Sequence, residues 1–244
     1  MTNKASRHIA PAKKIINYNY DHTTFIILAA AIGKRMKTYG PKALLEYQPE
    51  FTVLDHELQT IYEVYPQADI LLVIGFEYEK FLLYKSKYPS IRLIYNPNYS
   101  TTNTLYSTQL GVQASIGNKI VVLHGDLMFS EESIAGLTER GSRITVCDTI
   151  NKESVGVVSH NSIATNISYG LETQWGQITY FTNKEYQLLL QLVQNDKDSR
   201  RLFLYEAIKY IINHGGKFRI HNPEGIQIYD IDSHKDLEYV KGLL

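Results

Sequence analysis

Cysteine is almost absent from this 244-residue chain, the single copy being Cys147 in the apolar run that starts at Ile144. A disulfide framework is therefore excluded, and a reducing cytoplasm is the expected setting. Net charge is lacking too: 25 Lys and Arg balance 25 Asp and Glu. Nothing global favours nucleic acid or an anionic membrane as partner. No apolar run is long enough to span a bilayer, the longest being Phe25 to Ile32. Residues 1–22 hold Lys4, Arg7, Lys13 and Lys14 around no apolar core, so they do not read as a secretory signal. They read as a polar extension, and residues 23–244 as the folded domain. The eight histidines have no metal-ligand spacing. Repeats and low-complexity tracts are missing as well.

What is present is an alternation of strand and helix patterns. Phe25 to Ala30, Asp69 to Phe76, Ile91 to Tyr95 and Lys119 to Leu123 are short apolar runs of the kind buried on both faces of a sheet. Between them, Leu54, Leu58, Ile61 and Tyr65 recur at helical spacing, and Tyr78 to Tyr88 and Thr104 to Ile116 read as helices. Ser130, followed by Glu131 and Glu132, predicts a capped helix through Glu139. After Arg143 the rhythm changes to strands over Arg143 to Thr149, Ser154 to Ser159, Ile163 to Tyr169 and Gln177 to Phe181. Tyr186, Leu189, Leu190 and Val193 mark a helix, and Arg201 to His214 a second one ended by Gly215-Gly216. Lys217 to His221 and Gln227 to Ile231 are the last strands, and Ser233 with Asp236 forms a capping box for a terminal helix. The pattern predicts one α/β domain of three layers, with a mixed, mostly parallel central sheet.

Three stretches at the ends of such strands carry chemistry. The loop from Leu28, Ala29, Ala30 and Ala31 through Gly33 to Lys42 has few bulky residues. Its backbone amides can approach a phosphate while Arg35 and Lys42 supply charge. His124-Gly125-Asp126 and Tyr229-Asp230-Ile231-Asp232 supply carboxylates, and Mg2+ needs only one or two of these beside substrate phosphates. Asp126 and Asp232 are the expected metal ligands, with Asp230 divided evenly between supporting the metal and lying on the surface. Asn103 and Ser107, four apart at a helix start, can read a pyrimidine or hold a ribose, or simply cap the helix.

These stretches resemble nucleotidyltransferases with the GT-A-like fold. Leu28 to Met36 with Pro41-Lys42 is similar to their L-A-A-G-x-G-x-R-M…P-K motif, and Asp126 stands where that group has a metal-binding aspartate. Asn96-Pro97-Asn98-Tyr99, Asn103 to Ser107 and Ile228 to Ser233 resemble segments of bacterial choline-phosphate cytidylyltransferases. The resemblance covers roughly residues 24 to 244. It implies Mg2+-dependent transfer of a nucleotidyl group, CMP from CTP or another NTP, to a small phosphomonoester, with release of pyrophosphate. By the same resemblance Tyr205 and Glu206 line the acceptor pocket; Trp175 is a further candidate for that pocket, or packs in the core or a turn. Two rival readings are a sugar-1-phosphate nucleotidylyltransferase and a nucleotide-binding protein without turnover. The sequence departs from the motif at Ala31, in place of a loop glycine, at Asp230, in place of a glutamate, and at Thr104, in place of an asparagine. If position 31 required positive φ, alanine there would cost about 1–2 kcal/mol.

Overall fold

The computed structural model describes residues 23–33, 40–147, 154–171, 173–195 and 197–242. The strands of the first half are β1 (Thr24–Ala29), β2 (Glu46–Gln48), β3 (Phe51–Thr52), β4 (Asp69–Ile74), β5 (Arg92–Tyr95), β6 (Ile120–His124) and β7 (Leu127–Phe129). Those of the second half are β8 (Arg143–Cys147), β9 (Val155–His160), β10 (Ile163–Tyr169), β11 (Thr173–Phe181), β12 (Arg219–His221) and β13 (Ile228–Asp230). The helices are α1 (Val53–Val64), α2 (Glu79–Lys87), α3 (Thr104–Ala114), α4 (Asn183–Asn195), α5 (Leu204–Asn213) and α6 (His234–Lys241).

One nine-stranded sheet runs in the order β5-β4-β1-β6-β11-β8-β12-β10-β9. β11 is antiparallel to β6, β8 and β9, and β10 to β12 and β9. The remaining seven strands point one way; the sheet is mixed, and its β5-β4-β1-β6 part is wholly parallel, as the β-α alternation implies. β1 is buried along its whole length because both its faces are covered. Phe25 and Ile27 pack with Leu54, Leu58 and Ile61 of α1 and Phe81 of α2. Ile26 and Leu28 pack on the opposite face with Leu105 of α3, Leu189 of α4 and Ile208 of α5. A smaller cluster joins Leu237 and Val240 of α6 to Leu45, Tyr47, Met128 and Ile231. It seats α6 beside the ends of the parallel strands.

Local chemistry explains the helix ends. Thr52 and Asp55 form a reciprocal capping box on α1, and Ser233 and Asp236 do the same on α6. α5 closes with Gly215 at φ 78° and a bond from the Gly216 N–H to the Ile211 carbonyl.

Three expectations are corrected. Ser130 to Glu139 is not a helix: a single 3-10 turn covers Glu131–Ser133, and Gly136, at φ 73°, breaks the run. The Ser130 hydroxyl, expected to cap, donates instead to the Gly225 carbonyl at 3.2 Å. The helix expected from Arg201 starts instead at Leu204, as α5, after a separate 3-10 segment, Lys197–Arg201. β11 begins at Thr173, four residues before the strand read from the sequence. The short strands β2, β3 and β7 carry too few residues for a periodicity to register. Residues 1–22 and Arg35 lie outside the described residues. Among the described residues, no helix is long and apolar enough to cross a membrane.

Candidate active site

The site grows from the ends of β1 and β6. After His124 the chain turns sharply, and the Gly125 N–H donates to the Leu28 carbonyl at 3.0 Å. A Cβ at position 125 would stand 3.0 Å from that of Ala29 and 3.1 Å from the Leu28 carbonyl oxygen. A side chain there would push these neighbours apart by a few tenths of an ångström, so glycine suits the close approach of the two strand ends. Asp126 follows directly, and β7 then pairs antiparallel with β13, setting Asp230 opposite Leu127. The Ile231 N–H donates to the Asp126 carbonyl at 2.9 Å. This ribbon brings residues 230–232 beside Asp126 despite their distance in sequence.

The result is a charged floor. Asp126, Asp230 and Asp232 each offer a carboxylate oxygen within 4.8 Å of the others. Lys42 places its Nζ 2.8 Å from Asp126 Oδ2 and 2.6 Å from Asp232 Oδ1. Burial alone would lower the Lys42 pKa, but the charges of Asp126 and Asp230 and the bonds to Asp126 and Asp232 outweigh it, and the net shift is upward. Burial, then the charges of Asp126 and Asp232, pushes the Asp230 carboxyl up to about 7. Asp230 Oδ1 is buried without a hydrogen-bond partner among the described residues, while Oδ2 accepts from Gln177 Nε2 at 2.6 Å. Three converging carboxylates, one with an orphaned oxygen, form a donor set that fits a hard divalent cation. Lys42 already plays the part of a cation between two of them.

Gly33 shapes the approach. It sits at φ 62°, and a Cβ there would stand 3.1 Å from Lys42 Cγ. Ala30 turns its carbonyl to the Phe76 N–H at 3.1 Å. Ala31 is exposed and its φ is not positive, so the strain that alanine would suffer at a glycine-demanding position does not arise. Beneath the floor, Glu57 is wholly buried and accepts from the Leu127 N–H at 3.0 Å. Burial drives its carboxyl well above the ordinary range, the Leu127 bond opposes this, and the charge of Asp126 adds to it. Through that bond Glu57 holds β7 from below.

A cleft of about 950 Å³ opens over this floor. Its far wall is aromatic. The Tyr205 ring stacks near Phe203, with centroids 6.0 Å apart, and meets Tyr169 edge-on at 5.4 Å. Trp175 is buried at the cleft edge, where its Nε1 donates to Thr179 Oγ1 and its ring meets His124 edge-on at 5.7 Å. Tyr229 and Tyr239 form a second aromatic pair at the cleft, 5.8 Å apart.

Residues 25–207, three-quarters of the chain, match the family described as the MobA-like NTP transferase domain. The chain belongs to that family. It is a nucleotidyltransferase. Comparison with curated protein sequences gave no match. Solved structures agree on the fold. The CTP:phosphocholine cytidylyltransferase of Streptococcus pneumoniae superposes with a TM-score of 0.71 at 20% identity, covering 91% of this chain and 99% of that one. The inositol-1-phosphate CTP transferase of T. maritima gives 0.77 at 17% identity, covering 91% and 94%. A nucleoside-diphosphate-sugar pyrophosphorylase of Vibrio cholerae gives 0.73 at 12% identity, covering 89% and 99%.

In this nucleotidyltransferase the residues singled out from sequence fall into two groups. Lys42, Asp126 and Asp232 come together on the floor, and Asp230 joins them. Tyr205 and Trp175 face the cleft. Asn103 and Ser107 do not line it. The Asn103 amide donates to the Arg201 carbonyl, tying α3 to the 3-10 segment, and Ser107 is buried, accepting from Asn96 Nδ2 at 3.0 Å. Neither side chain caps α3, and its neighbour Thr104 lines the cleft instead. Glu206 is absent from the lining too; its Oε2 accepts from the Phe203 N–H at 2.7 Å and closes the first turn of α5. Sequence reasoning missed Gln177, Tyr169 and Phe203 as cleft residues. Asp230 was within reach of it, because Asp230 and Asp232 alternate as residues on one face of an extended segment do.

Proposed function

We propose that the enzyme transfers CMP from CTP to a small phosphomonoester of the choline-phosphate type, releasing pyrophosphate, in a reducing cytoplasm. The observation that carries this reading is a single cleft with three carboxylates on its floor, a lysine bonded to two of them, and clustered aromatic rings on its far wall. The floor suits a nucleoside triphosphate with its metal, and the rings suit a diffuse cation. The cytidine preference rests on the resemblance of residues 96–107 and 228–233 to choline-phosphate cytidylyltransferases.

An acceptor phosphate has a second pKa of about 6, so it is a dianion at neutral pH and its oxygen can attack the α-phosphorus without a general base. The new P–O bond forms as the bond to pyrophosphate breaks, and the leaving oxygen takes the electron pair. Asp126 and Asp232, with Asp230 beside them, would hold Mg2+. Bound there, the ion would supply charge neutralisation between two anionic reactants. Lys42 is held against Gly33 and, once its aspartates engage another cation, is free to meet charge growing on the α-phosphate. Backbone amides near Ala31 and Gly33, with Arg35, would hold the β and γ phosphates. Tyr205 offers its ring face to the head group, and the carboxylate of Glu206 acts electrostatically on Tyr205 even while it caps α5.

A pyrophosphate-release screen tests this: CTP, UTP, GTP and ATP, each against choline phosphate, ethanolamine phosphate, glycerol phosphate and hexose 1-phosphates. The expected result is turnover with CTP and an amino-alcohol phosphate. Turnover confined to hexose 1-phosphates would replace this reading with the sugar-nucleotide one. Nucleotide binding without pyrophosphate release under any pairing would mean a binding protein.

A further inference from the structure

β11 is not a regular strand where it passes the site. Its pairing with β8 steps from Trp175↔Val146 to Thr179↔Ile144, so four residues of β11 advance against two of β8. Within this bulge Gln177 holds φ at 58°, a left-handed conformation rare for a residue with a long side chain. Glycine 176 adjoins it, and yet the left-handed position is occupied by glutamine rather than by the glycine. The pairing with β6 begins at Ile178↔Leu123, which sets Gln177 level with His124 at the cleft. From there its Nε2 reaches across to Asp230 Oδ2 at 2.6 Å. That bond joins the nine-stranded sheet to the separate β7–β13 ribbon, which carries Asp230 and adjoins Asp126 and Asp232.

Backbone strain of this kind persists only where the surroundings impose it, and it gathers at functional sites. A regular strand would alternate its side chains between the two faces, and the bulge re-aims one of them. The consequence is visible at Asp230: one oxygen is pinned by the amide, and the other is left buried and without a partner beside Asp126 and Asp232.

We propose that Gln177 is a positioning residue for metal-assisted nucleotide binding, its amide fixing one oxygen of Asp230 so that the other is presented to a divalent cation. The proposal rests on the three-carboxylate floor being the metal site. Gln177 does not touch the reacting atoms; it acts through Asp230. An amide suits the task because it donates without adding a fourth negative charge to the floor. Glycine at 177 would relieve the backbone and lose the contact, whereas leucine would keep the bulk and lose the donor.

The test is calorimetric binding of CTP, without acceptor, in Mg2+ and in EDTA. The ratio of the two affinities is the contribution of the ion. In Gln177→Leu and Gln177→Gly that ratio should fall about 10- to 100-fold, the range seen when groups orienting metal ligands are removed. Affinity in EDTA should stay within about twofold by the same reasoning, and Gln177→Gly should melt no lower than wild type. Asp126→Asn serves as the reference for loss of the metal site. If it abolishes the Mg2+ gain while both Gln177 variants keep it, the role of Gln177 is overturned and the floor stands. If Asp126→Asn itself keeps the gain, the floor is not the metal site and the proposal falls with it. Should Gln177→Leu fail to fold, Gln177→Gly decides alone, because its backbone is less strained than that of the native residue.

Discussion

The floor and the far wall of the cleft are built on opposite principles. The floor gathers three carboxylates within 4.8 Å of one another and relieves them with one lysine and the amide of a strained glutamine. Like charges at such distances oppose folding, so the floor is held by backbone: the Gly125 turn, the β7–β13 ribbon and the Ile231 bond to Asp126. The wall is made of rings that pack on each other as any hydrophobic surface does, on α5 and the neighbouring strands. The floor therefore gives up stability for chemistry, whereas the wall contributes contact area and shape at little cost to the fold. Substitutions of the floor's carboxylates should damage turnover and leave folding intact or improved, and those on the wall should alter acceptor choice alone.

The sharpest break in that comparison comes from the carboxylates. Asp126→Asn or Asp232→Asn should cut turnover by roughly 10³-fold or more, the range reached by charge-stabilising groups in phosphoryl transfer. Melting temperature without metal should not fall. Near wild-type kcat at saturating Mg2+ in either variant would remove that residue from the metal site.

Lys42→Ala should lower kcat by about 10²–10³-fold, with a smaller rise in nucleotide KM. It also strips the floor of its internal cation, so the variant should melt lower than wild type in EDTA and recover when Mg2+ is added. An equal loss of stability with and without the ion would show that Lys42 serves packing rather than charge.

The floor should also give the metal-free protein an inverted response to pH. Asp230 binds its proton more tightly folded, up to about pH 7, than unfolded, near the ordinary value of 3.8. Between those values the native state carries the extra proton, and the stability it contributes is lost as pH rises through about 7. Melting in EDTA from pH 5 to pH 8 should follow this decline, and Asp230→Asn should flatten it. A decline of equal slope in Asp230→Asn would place the titration elsewhere.

The smallest effect belongs to the wall. Tyr205→Ala should raise the KM for choline phosphate by roughly two- to thirty-fold, the value of one good cation–π contact, and leave nucleotide affinity unchanged. With ethanolamine phosphate, which donates hydrogen bonds, Glu206→Gln should matter more than Tyr205→Ala. If neither variant moves the KM of either acceptor, the wall does not bind the head group and the sugar-phosphate reading takes precedence.

The amino-acid sequence alone determined the parallel part of the sheet, because Phe25 to Ala30 and the other all-apolar runs are stable only when covered on both faces. It also determined the terminal capping box and the position of Asp126 just past the end of β6, since these depend on neighbours in the chain. Tertiary structure decided the rest. A three-residue strand such as β7 has no legible period, yet its pairing with β13 is what makes one site of Asp126, Asp230 and Asp232. Asn103 and Ser107 look like ligand-binding residues in sequence, but their hydrogen bonds are taken by Arg201 and Asn96. Gln177 carries no motif, and its role comes from a bulge that only the mismatch between β11 and β8 creates. Local patterns fix where strands end, whereas which strand ends meet, and at what distance, follows from long-range pairing that no local pattern encodes.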